Sequence, residues 1–261
     1  MASMTVHRIA LIRHGQTEWS ESGQHTSTTD IDLTEEGVDQ AMTIPSLLWG
    51  LGLAPVTVWS SPRLRAQRTA SLAGLHVDEI VDDLAEWAYG DYEGITSKQI
   101  RVGNPSWSIF TDGAPGGEAP EAVAARADRV LSRASALLPK GDVALVCHGH
   151  MSRALAVRWV GLPITAGGLI MMNPAAITVL GTYHEAPCIE HANVVPFKPA
   201  ALTAAASAGT SATRPTTTSV ARPTTATMAR GLPTPRSGTA PSAARRPAPG
   251  TAADGPEPGH A

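Results

Sequence analysis

"HRIALIRHGQTEWS", residues 7–20, decides the fold. Its first half is a short, largely apolar run with β-branched residues, the signature of a buried strand. The run ends on Arg13 and His14, followed by a glycine. A strand that only filled a core would stop on a turn residue, because burying an unpaired charge is costly. Two side chains able to carry positive charge at that point imply something negative beside them.

Working outward, strands and helices alternate. "LTEEGVDQAMTIPSLLWG" (33–50) begins as a helix should, with Thr34 as cap and acids in the first turn, and Pro45 is expected to kink or divide it. "VTVWS" (56–60) predicts a strand, and "PRLRAQRTASLAG" (62–74) a helix opened by Pro and closed by Gly. "VDEIV" (77–81) predicts a third strand, and residues 118–139 have helical spacing. "DVALVCHG" (142–149) is a further buried strand, followed by the helix "HMSRALAVRWVGL" (150–162) and the strand "AITVLGTY" (176–183). This alternation predicts an α/β fold with a mainly parallel sheet. In such sheets ligands bind outside the carboxyl ends of the strands. The polar groups fall there: Arg13 and His14 after the first strand, Ser61 to Arg65 after the second, His148 to His150 after the fourth. Arg13, His14, Arg65 and His148 together form a set of guanidinium and imidazole donors matched to an oxyanion, with phosphate the commonest candidate. Helix N-termini after Pro62 and Gly149 add backbone N–H donors.

Composition bounds the rest. All Trp, Phe and Tyr precede Pro199, and residues 200–261 are mostly Ala, Thr, Pro, Ser, Gly and Arg, with no aromatic and no Ile. Such a segment cannot bury enough apolar surface to offset its conformational entropy, so a disordered tail is expected after a domain of residues 1–199. The tail carries a net charge of +4 and the whole chain −3, which leaves −7 for residues 1–199. Scattered arginines without aromatics make a solvated extension a better reading than a nucleic-acid surface. Two cysteines, Cys147 and Cys188, are too few for a disulfide framework, and Cys147 reads as a small buried hydrophobe. No run has the length of a signal peptide core or a membrane span, so a soluble, cytoplasmic setting is expected. A homodimer is compatible with the sequence and not specified by it.

Four motifs in order, "RHGQT", "SPRLRAQRT", "AEWAYGDYEG" and "CHGHMSR", resemble the histidine phosphatase superfamily, with its phosphoglycerate-mutase-like fold. The resemblance covers residues 7 to about 185, and "RHGQTEWSESGQHT" and "EWAYGDYEG" are similar to the branch of acid phosphatases and sedoheptulose-bisphosphatase-like enzymes. It implies a three-layer α/β/α fold and a phosphomonoesterase acting on small phosphate esters, sugar phosphates among them, without cofactor or metal. It also implies His14 as a transiently phosphorylated nucleophile, Arg13, Arg65 and His148 as holders of the phosphoryl oxygens, and Glu86 as proton donor. Gln16, Ser20, Thr26, Arg63, Tyr89, Gly149, His150 and Arg153 are the implied substrate contacts.

Blander readings apply elsewhere. His148 and His150 at i, i+2 invite a metal, but no further ligand spacing completes a zinc set. Trp19, Trp87 and Tyr89 read as packing residues. His25, His76, His184, His191 and His260 read as ordinary surface or satisfied residues, and Glu118 either caps a helix or faces substrate. Relative to phosphoglycerate mutases, Ser20 and His150 stand where asparagines are expected, Ser97 stands near a lysine position, and an insertion with paired arginines is not evident. Hydrolysis is therefore expected over the alternative of a 2,3-bisphosphoglycerate-dependent mutase. A non-catalytic phospholigand-binding module is the further alternative, disfavoured because nucleophile, clamp and acid are all present.

Overall fold

The computed structural model describes residues 7–195. The expectations for the tail, for the boundary at 199 and for His260 lie outside the described residues. Six strands, β1 (Ile9–Arg13), β2 (Pro55–Ser60), β3 (Glu79–Ile80), β4 (Asp142–Cys147), β5 (Ile177–Tyr183) and β6 (Ala186–Val194), form one sheet in the order β3-β2-β4-β1-β5-β6. β3, β2, β4 and β1 run parallel, while β5 pairs antiparallel with both β1 and β6. The sheet is thus mainly parallel, as expected, with an antiparallel extension at one edge.

Both faces of the central strands are buried, which is why they read as continuous apolar runs. Side chains alternate across the sheet. Ile9, Leu11, Val143 and Leu145 pack with Val123, Ala127 and Val130 of α6 (Pro120–Ser135) and Leu155 of α7 (Gly149–Trp159). Ala10, Ile12, Ala144 and Val146 pack on the other face with Ala41 and Ile44 of α2 (Glu35–Gly50) and Ala66 and Ala70 of α3 (Leu64–Leu72). The result is three layers, α/β/α.

Thr34 caps α2 by accepting the Gly37 N–H over 3.1 Å. Pro45 does not divide the helix, which continues unbroken to Gly50. Its ring is exposed while Ala41, Ile44 and Leu48 are buried. A proline inside a helix costs about 3 kcal/mol; full burial of Ile44 and Leu48 returns roughly 1.5–3 kcal/mol each. Packing wins. Shorter helices not foreseen from the sequence, α1 (Glu18–Ser22), α4 (Ser97–Gly103) and α5 (Ile109–Asp112), build the wall above the sheet. The strand expected over 77–81 contracts to two exposed edge residues, Glu79 and Ile80.

After β1 the chain must pass α2 at backbone distance. A Cβ at Gly15 would stand 2.3 Å from the Gly37 carbonyl oxygen, so neither glycine tolerates a side chain. This contact sets where His14 is presented.

Candidate active site

The carboxyl ends of β1, β2 and β4 bring the expected residues to one edge. His14 and Ser61 continue their strands, donating backbone N–H groups to Cys147 O (3.0 Å) and Val146 O (2.9 Å). His148 precedes α7 as its cap residue, and Glu86 arrives from the loop after β3.

The His14 ring lies 2.7 Å from the Gly15 carbonyl through Nδ1. A carbonyl only accepts, so Nδ1 carries the proton and Nε2 keeps the lone pair in the neutral ring. Burial, then the Arg13 and Arg65 cations, push the His14 pKa well below 6.5, against the Gly15 carbonyl, which favours the cation. The imidazole is therefore neutral at neutral pH. His148 is displaced in the same direction, by burial first and then Arg65, His14 and Arg13. Its Nε2 pairs with Ser61 Oγ at 2.7 Å, and its ring meets that of His14 edge-on at 5.2 Å between centroids.

Arg13 donates through an NH group to Met172 O over 2.6 Å. Arg65 is fully buried and spends its two terminal nitrogens on the carbonyls of Thr29 (3.1 Å), Thr26 (3.0 Å) and Ser27 (3.4 Å). On the other side of that loop, Glu93 accepts the N–H groups of Ser27 and Thr29. Burial lowers both arginine pKa values while Glu86 opposes it, and both guanidinium groups remain cations. Among the described residues five buried nitrogens lack a partner, Arg8 Nε, Arg13 Nε, Arg63 Nε, Arg65 Nε and His148 Nδ1, and the last four lie at or just after the carboxyl ends of β1, β2 and β4. Buried polar atoms are ordinarily satisfied, so this set marks a place for an acceptor.

Glu86 is buried against the N-terminus of α7, accepting from His150 N (3.0 Å) and Met151 N (2.9 Å) as well as Trp87 N (3.0 Å). A pocket of about 230 Å³ opens here, lined among others by Arg13, His14, Glu86, Gly149, His150 and Arg153, whereas Arg65 and His148 are fully buried and are not among its lining residues. Arg153 is anchored by its Nε on Gly167 O (2.8 Å) and lies over the Phe110 ring at 4.6 Å. Ser20, Thr26 and Tyr89 line the same pocket. A Cβ at Gly149 would press on the Arg13 guanidinium at 3.3 Å, so a larger residue there would shift that group by a few tenths of an ångström.

Two expected contacts lie elsewhere. Gln16 turns to α2, its Oε1 accepting from Thr34 Oγ1 at 2.9 Å, because the backbone contact at Gly15 aims it away from the pocket. Arg63 is the cap residue of α3, reaches toward the Thr28 carbonyl at 3.5 Å and is not among the residues lining the pocket. Glu118 neither caps α6 nor faces substrate; it pairs with Arg126 at 2.8 Å.

His25, expected to be ordinary, is a buried pocket wall. Its Nε2 pairs with Ser97 Oγ at 3.2 Å, and its ring stacks on Tyr89 at 4.5 Å. Met172, Gln24 and Ser97 also line the pocket unforeseen. Only the adjacency of Gln24 and His25 to Thr26 could have signalled any of them. Among the described residues, no group of three or more His, Cys, Asp and Glu side chains is arranged to hold a metal ion. No described helix is long and apolar enough to cross a membrane.

A mainly parallel sheet that ends in a buried neutral histidine, two guanidinium groups and a carboxyl is chemically suited to holding a phosphoryl group. A sequence model of the histidine phosphatase superfamily (branch 1) matches residues 9–195, and the chain belongs to that superfamily. It is 45% identical over 178 residues to an acid phosphatase of Mycobacterium tuberculosis, covering 68% of this chain and 88% of that one. With the sedoheptulose 1,7-bisphosphatase of Saccharomyces cerevisiae it shares 34% identity over 193 residues, 63% of this chain and 71% of the relative. Among solved structures, an open reading frame product of Mycobacterium tuberculosis superposes with a TM-score of 0.71 at 43% identity, covering 72% of this chain and 98% of that one. A mycobacterial glucosyl-3-phosphoglycerate phosphatase in complex with VO3 gives 0.63 at 28% identity, covering 72% and 98%.

Proposed function

We propose that this chain hydrolyses small phosphate monoesters, sugar phosphates among them, through a phosphohistidine on His14. One observation carries the reading: a neutral imidazole with its Nε2 lone pair free shares a sheet edge with buried nitrogens of Arg13, Arg63, Arg65 and His148 that have no partner. The acid phosphatase and sugar-phosphate phosphatase names of its relatives support the same substrate class.

In the first step His14 Nε2 attacks phosphorus in line, the N–P bond forms and the ester P–O bond breaks. Charge on the three equatorial oxygens is met by Arg13, Arg65 and His148, already fixed before substrate arrives. Glu86 gives its proton to the leaving alkoxide. In the second step water attacks the phosphohistidine, Glu86 takes the water proton, and inorganic phosphate leaves with His14 restored. General acid help of this kind is worth about 10²–10⁴-fold.

Rapid quench with ³²P-labelled substrate should trap an acid-labile, base-stable phosphoprotein that His14→Ala does not form. Glu86→Gln should slow glycerol phosphate far more than p-nitrophenyl phosphate, whose leaving group needs little protonation. Label retained in His14→Ala would overturn the assignment.

A further inference from the structure

Glu86 lies in a short loop with no regular structure, yet an acid must be placed within a fraction of an ångström of the leaving oxygen. The loop is held from below by one side chain. Arg126, on α6 and nearly buried, sends one terminal nitrogen to the carbonyls of Asp83 (2.8 Å) and Ala85 (2.7 Å). The other terminal nitrogen approaches Glu86 O at 3.5 Å and bonds Glu118 Oε2 at 2.8 Å, while Nε bonds Glu118 Oε1 at 2.9 Å. All five N–H donors of the guanidinium are directed at the loop or at Glu118.

Glu118 closes the other side. Its carboxylate accepts the Ala88 N–H at 2.9 Å, its carbonyl accepts the Trp87 indole N–H at 2.9 Å, and its own N–H donates to Ala88 O at 2.9 Å. The backbone on either side of Glu86 is thereby fixed to one ion pair. The same guanidinium also touches Met151 Sδ at 3.6 Å, in the helix turn whose N–H groups hold the Glu86 carboxyl.

We propose that Arg126, braced by Glu118, is the positioning residue that aims the Glu86 carboxyl at the leaving-group oxygen. The proposal rests on the reading of Glu86 as proton donor. Arg126 does not touch substrate; it acts through the loop. A lysine has three donors on a single nitrogen and cannot span three carbonyls and a carboxylate.

The test compares turnover of glycerol phosphate and p-nitrophenyl phosphate in Glu86→Gln, Arg126→Met, Arg126→Lys, Glu118→Gln and the double variant Glu86→Gln/Arg126→Met. A misplaced acid should cost about tenfold or more in the glycerol phosphate to p-nitrophenyl phosphate ratio. Arg126→Met and Arg126→Lys should show it, and Glu118→Gln, which keeps shape and packing, should shift the ratio in the same direction if Arg126→Met fails to fold. In the double variant the ratio should fall no further than in Glu86→Gln. Equal losses on both substrates in the Arg126 and Glu118 variants, with Glu86→Gln selective, overturn the positioning role alone. An unselective Glu86→Gln overturns the acid assignment, and the positioning role with it.

Discussion

His14 donates its Nδ1 proton to the carbonyl of Gly15, the next residue in the chain, over 2.7 Å. The His14 imidazole, the proposed nucleophile, is thus oriented by its own backbone through Nδ1. A carboxylate partner would raise the imidazole pKa; a carbonyl favours the cation far less, and burial with Arg13 and Arg65 prevails.

The free enzyme should therefore hold His14 neutral, as the Nδ1–H tautomer, at pH 6. Long-range ¹H–¹⁵N spectra of histidine-labelled protein report this directly. The acid limb of kcat/KM, which reads the free enzyme, should lie below pH 6.5 after correction for ionisation of the ester. An imidazolium signal from His14 at pH 6 would contradict it.

Chelation should leave turnover unchanged, because in the proposed mechanism Arg13 and Arg65 supply the positive charge at the phosphoryl oxygens. Dialysis against EDTA followed by a p-nitrophenyl phosphate assay checks this. Activity lost to the chelator and regained with a divalent ion would remove the arginines from that role.

Arg65 has two tasks that a lysine cannot share. Its terminal nitrogens tie down the carbonyls of Thr26, Ser27 and Thr29, which leaves the Nε–H and one terminal N–H for phosphate. Arg65→Lys should lower kcat/KM by about 10²–10³-fold, the scale seen for losing a fixed oxyanion donor. Glu93→Gln, which loosens the same loop from its N–H side, should raise KM with a smaller change in kcat. Steady-state kinetics on the two variants decide it; a near-normal Arg65→Lys would show that these N–H groups contribute little.

The parts legible in the sequence were those where one physical constraint acted alone. β1 and β4 are buried on both faces, so their composition is uniformly apolar, and the Arg13, His14 and His148 that break it stand out. Glu86 and Arg65 were singled out by their motifs, and the structure puts Arg65 in the first turn of α3 and Glu86 in the loop beyond β3. β6 was missed because it is a largely exposed edge strand, with no alternation of apolar and polar residues. α4 and α5 depend on caps, Thr96 with Gln99 and Ser108, in stretches too short for helical periodicity. His25 and Met172 reach the pocket on loops whose course is set by distant side chains. Arg65 and Glu93 hold the first, Arg13 the second. Gln16 was misplaced for the opposite reason: nothing in the residue itself reveals that the backbone contact of Gly15 with Gly37 turns it toward Thr34.

His25 should make stability fall on acidification in a defined window. Burial holds its pKa at about 4, with Arg101 adding to the shift and Glu93 opposing it. Ser97, Tyr89, Trp107 and His150 complete its surroundings. In the unfolded chain the imidazole titrates near 6.5. Between pH 6.5 and about 4 the unfolded state binds a proton that the folded state does not, so stability decreases as pH is lowered through that range. One such proton contributes a slope of about 1.4 kcal/mol per pH unit. His14, His148 and His150 add slopes of the same sign. Urea unfolding of wild type and His25→Gln at intervals from pH 7 to pH 4.5 measures the difference. His25→Gln should be less stable at pH 7, because its glutamine cannot stack on Tyr89, and its stability should fall less steeply below pH 6.5. Parallel curves for the two proteins would mean that the buried ring takes up its proton as readily folded as unfolded.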